Sequence, residues 1–205
     1  MTVQTAPTPA RSDLPRATRV PTPARPFRRH GLMLSTGAVA GASAMVLFGL
    51  NQTETWPLIG FGLGAGAFQV GLLCLLRVLW RTRALGDGRV ARTALRVEAG
   101  MLVLAMASTF VDAIALSDLT QPGWLLLDAF WPLSMMGMFF IGVRIAIAGR
   151  WRGATRFWPL VAESWAIVVI PTMGIFGHAV ADVVAPLHLL IGYTVLGVLV
   201  SRKES

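Results

Sequence analysis

The chain has 205 residues, 55% of them hydrophobic and only 14% charged, with a mean hydropathy of +0.64. A soluble domain carries about 25% charged residues, so this composition excludes an ordinary globular protein and points to repeated membrane spans. The formal net charge of +8 would suit nucleic-acid binding, but no DNA- or RNA-reading motif accompanies it, and no nucleic-acid partner is expected.

Residues 1–30 hold six Pro, six Arg and a single acid, Asp13, without apolar periodicity. Such a segment cannot bury enough apolar surface to fold and is expected to be a disordered Pro- and Arg-rich tail. Phe27-Arg28-Arg29-His30 and the later Gly41-Ala42-Ser43-Ala44 have the outline of a cleavable export signal. The apolar run continues past that point to Leu50, however, so an uncleaved first helix is expected.

Hydropathy predicts an all-α polytopic bundle of six transmembrane helices over 31–50, 56–79, 93–116, 123–147, 157–176 and 178–200. Each is close to the ~20 residues that a ~30 Å hydrocarbon slab requires. Residues 31–200 then form one transmembrane domain and 201–205 a short tail. Gly37 and Gly41 on the first helix, and Gly60, Gly62, Gly64 and Gly66 on the second, are spaced for close helix packing, within the chain or in a homo- or hetero-oligomer. Cys74, the single cysteine, lies within the second helix, so no disulfide framework or thiolate metal site is expected.

Trp56, Trp80, Trp124, Trp151 and Trp158 fall at predicted helix ends, where amphipathic rings anchor at the membrane interface. Trp-Pro-Leu recurs at 56–58, 131–133 and 158–160, a pattern that an inverted repeat would produce. Interface anchoring and Pro in a first turn explain two of the three, and the halves do not otherwise match. Met135, Met136 and Met138 have no Cys or His nearby and read as packing residues. Pro171 and Pro186 are expected to kink the fifth and sixth helices.

The 18 basic residues occupy alternate gaps between these helices: Arg11–Arg29, Arg77–Arg96, Arg144–Arg156 and Arg202–Lys203. The other gaps, around 51–55, 117–121 and 174–178, contain none. Cytoplasmic loops collect Lys and Arg, so both termini are expected in the cytoplasm, with anionic lipid headgroups as partners on that side. Lys203 is the only lysine among the 18, a bias of GC-rich genomes, so a bacterial plasma membrane is the expected location.

Ionisable groups within a bilayer are the best functional lead, because they are costly and face the interior of a bundle. Helix rise puts Asp112, Asp128 and Asp182 each about 6 Å below the outer surface. His178 is four residues from Asp182 on one face, which also holds Tyr193. These four, Asp112, Asp128, His178 and Asp182, are the candidate ion or proton cluster. Near the inner surface, Glu98 and Glu163 read as structural ion pairs with Arg77, Arg96 and Arg144.

Enzymatic chemistry finds little support. The His residues beyond His30 lie on one helix, so no haem is held between two, and no HExxH occurs. The sole GxSx-like run, at Gly41, is misplaced for an intramembrane serine protease. No cofactor is expected. The residues support a proton- or cation-responsive or transporting membrane protein using the outer acids; a non-catalytic subunit, scaffold or regulator of a membrane complex is the alternative.

Overall fold

The computed structural model describes residues 26–49, 54–118 and 120–203. The tail expected over 1–30 lies outside them up to residue 25, as does loop 51–53. Where description begins, Phe27 is already buried, and the first helix starts at Arg28 rather than 31.

The apolar runs become α1 (Arg28–Phe48), α2 (Thr55–Arg81), α3 (Arg89–Ala113), α4 (Pro122–Asp128), α5 (Phe130–Ala148), α6 (Ala154–Glu163), α7 (Trp165–Phe176) and α8 (His178–Ser201). Counting α4–α5 and α6–α7 as one span each, six helices are long and apolar enough to cross a membrane. The spans close into a ring in chain order: α1 packs on α2, α2 on α3, α3 on α5, α5 on α6, α6 on α8, and α8 back on α1.

The two breaks have local causes. Pro132 has no N–H to offer the carbonyl of Asp128, and its ring crowds that carbonyl, so the helix is interrupted at Ala129. Span five was expected to kink at Pro171 but breaks at Ser164. There the ladder tightens to Ser164 N–H→Val161 C=O, and the Ser164 hydroxyl donates to the same carbonyl at 2.8 Å. α7 and α8 are joined by Gly177 alone, at φ +82°, which a residue without Cβ adopts freely.

The glycine motifs are used inside the chain. A Cβ on Gly37 would meet Ala67 backbone, and one on Gly64 would meet Ala40 and Ala44. Gly31 and Gly197 bring α1 and α8 into backbone contact, which sets the start of α1 beside the end of α8 on one face of the bundle.

That face carries the basic loops and is knitted together. Asp87 accepts from Arg83 at 2.9 Å and also from Arg150, joining the α2–α3 and α5–α6 connections. Trp151, placed by the sequence in an interfacial belt, is instead 1% exposed, because its indole N–H donates to Thr82 Oγ1 at 3.0 Å and Lys203 covers its ring. Trp158 is likewise drawn inward and donates to Gly192 C=O at 2.8 Å, whereas Trp56 remains exposed.

Candidate functional site

The centre of the ring holds two acids. Glu98 on α3 is 1% exposed and Glu163, at the end of α6, is 3% exposed. Each lies nine residues along its helix from the basic face, so both sit about 14 Å deep, and they are within Coulombic range of each other. The expected ion pairs with Arg77, Arg96 and Arg144 do not form. All three guanidinium side chains are exposed, Arg96 lies over the Trp80 ring, and Asp87 takes part in both salt bridges among the described residues. The reason is geometric: the acids follow the inward stripes of their helices, while these arginines sit on outward positions and extend to the surface.

The acids take hydroxyl donors instead. Ser134 Oγ donates to Glu98 Oε1 at 2.6 Å, and Tyr193 O–H donates to Glu163 Oε2 at 2.6 Å. Glu98 Oε2 and Glu163 Oε1 are buried without a hydrogen-bond partner. Gly137 makes room for the Glu98 carboxyl, since a Cβ there would run into Oε2. One residue beyond Glu163, Ser164 Oγ meets His188 Nε2 at 3.2 Å across the helix break.

A cleft of about 860 Å³ between α3 and α5 opens at Gly86–Arg89 and Arg144 on the basic face and reaches Glu98 and Gly137. Towards the opposite face the layer is closed by aromatic groups. Phe68 packs edge-on to Tyr193 at 4.7 Å and to Trp131 at 6.5 Å, and Trp165 donates to Ala185 C=O at 2.9 Å. The gap that remains among Phe68, Trp131, Trp165 and Leu189 is only about 90 Å³ and apolar.

The four outer residues are brought together only in part. Asp112 and Asp128 are half-buried and within Coulombic range, because α4 packs on α3. His178 and Asp182 are exposed on α8, which packs on α1, α6 and α7 and not on α3 or α4. Equal depth therefore did not mean one site. Tyr193, read with the outer face, belongs to Glu163.

Three contacts went unread in the sequence: Ser134 with Glu98, Ser164 with His188, and, nearer the outer end of α3, Gln69, which is fully buried and donates to Thr109 Oγ1 at 2.8 Å. For the Tyr193–Glu163 bond a signal existed. Tyr193 is the only tyrosine and lies mid-span in an apolar helix, where its hydroxyl needs an internal partner. Comparison with protein families, curated proteins and solved structures finds no match for this chain.

Proposed function

We propose that this is a proton- or cation-responsive membrane protein whose responding groups are Glu98 and Glu163, with the outer pair Asp112–Asp128 secondary. The observation that carries this reading is the pairing of two buried acids with hydroxyl donors and no basic partner. An ionised carboxylate in such a place costs several kcal/mol, and a proton or a small cation removes that cost. The cleft from the basic face runs as far as Glu98. The one-sided arginines support a bacterial plasma-membrane protein with that face and both termini in the cytoplasm.

The test is thermal stability of the purified full chain across pH and across added Na⁺, K⁺, Mg²⁺ and Ca²⁺. Stability should change with pH or with one cation, and Glu98→Gln and Glu163→Gln should each flatten that response. A response that survives both substitutions, or that only Asp112→Asn with Asp128→Asn removes, would overturn the assignment.

A second reading, a non-catalytic subunit of a membrane complex, draws on α7. Of its twelve residues only Val169 is buried, which leaves a long apolar face for lipid or for another membrane protein. A chain indifferent to pH and cations would leave this reading in place.

A further inference from the structure

The α3–α5 cleft is open laterally as well as at the basic face. Its walls include Val97, Phe140 and Val90, which are 55%, 62% and 84% exposed, so inside a membrane hydrocarbon would face it. From Arg89 to Met101 the cleft follows α3 for twelve residues, about 18 Å, slightly more than one leaflet of a ~30 Å hydrocarbon core. At the mouth stand Arg89 and Arg144. The nearby acid, Asp87, is already held by Arg83 and Arg150. Neither Arg89 nor Arg144 takes part in an ion pair among the described residues. The mouth is thus cationic and unneutralised, and the walls below it are apolar.

We propose that this cleft seats one anionic phospholipid from the leaflet on the basic face. Arg89 and Arg144 hold the phosphate, and one acyl chain runs along Val97, Met101 and Phe140. Guanidinium groups bind phosphate through several N–H donors at once, and the apolar walls give a chain more contact than a neighbouring lipid would. Glu98 lies about 14 Å along α3 from Arg89, beyond reach of the headgroup and beneath the chain. This inference rests on the cleft mouth and walls and does not depend on the acids responding to protons or cations.

The experiment is thermal unfolding of the purified full chain in detergent, titrated with phosphatidylglycerol or with phosphatidylcholine. Phosphatidylglycerol should stabilise at least tenfold more effectively than phosphatidylcholine, and inorganic phosphate should not substitute for it. Arg89→Gln with Arg144→Gln should weaken that response at least tenfold. Arg152→Gln with Arg202→Gln, which removes equal charge from the same face outside the cleft, should leave it within about twofold. If the first double variant fails to fold, Val97→Trp keeps both charges and fills the groove, and it should weaken the response equally. Equal stabilisation by phosphatidylcholine or by phosphate, equal weakening by the Arg152/Arg202 pair, or an unchanged response in Val97→Trp would each overturn the proposal.

Discussion

At the scale of single residues, the acid layer depends on small groups that make space and on hydroxyls that donate. Gly137 faces Glu98 so closely that a methyl group cannot be added without moving the carboxyl or the helix. Gly137→Ala is therefore expected to destabilise by about 1–3 kcal/mol, the usual range for overpacking. Gly100, on the same α3 as Glu98, has open space around its Cβ position, so Gly100→Ala should be neutral or stabilising by up to about 1 kcal/mol. Reversible unfolding from mixed micelles measures both. Equal effects at the two positions would contradict the packing assigned to Gly137. Tyr193→Phe removes the only donor to the Glu163 carboxyl among the described residues and should cost about 1–3 kcal/mol. Depth put Glu98 near the inner surface, but it could not say which group on another helix would meet it. Arg was a reasonable partner by depth and the wrong one by direction, because a guanidinium on an outward position leaves for the surface.

At the scale of elements, the spans and their order were legible because hydrocarbon thickness fixes helix length, and the observed bounds agree within about four residues, the usual uncertainty of boundaries. The breaks were less legible. Pro132 was read for its place in a Trp-Pro-Leu triplet, not for the N–H that it cannot offer to the carbonyl of Asp128. Ser164 gave no warning, since a mid-span serine is common. The connections on the basic face also do more than link spans. Trp151 fills a site between Thr82 and Lys203, and Trp151→Ala should cost about 3–5 kcal/mol, a core-sized loss that an interfacial anchor would not show. Asp87 ties two of these connections together. Hydrogen bonds from Arg150 and then from Arg83 hold its carboxyl below the usual carboxylate range. A group depressed in the folded state stabilises above its unfolded value of about 3.9, and that contribution is lost as pH falls through the folded value. Asp87→Asn should thus fall below the unsubstituted chain from about pH 5 upward and converge with it in strong acid. A gap that widens in acid would contradict this linkage.

At the scale of the whole molecule, the proposed orientation rests on the one-sided arginines. Reporter fusions at Ser117 and Gly177 are expected to report the outside, and fusions at Gly86 and Gly153 the cytoplasm. An external Gly86 would invert the scheme. Within the ring, depth alone suggested an outer cluster of four residues, but span order decides which helices are neighbours, and α8 stands apart from α3 and α4. The same order brings Glu98 and Glu163 to one level from different spans, with a cleft on one side and aromatic packing on the other. If Glu98 and Glu163 form one site, as proposed, their effects on stability are coupled. A double-mutant cycle tests it most directly: unfolding free energies of the unsubstituted chain, Glu98→Gln, Glu163→Gln and the double variant, at a pH where the unsubstituted chain responds. A departure from additivity of more than about 0.5 kcal/mol, the limit for independent positions, is expected, because neutralising one acid relieves the other. Additive effects at every pH and cation concentration tried would contradict it and leave two unrelated buried carboxyl groups.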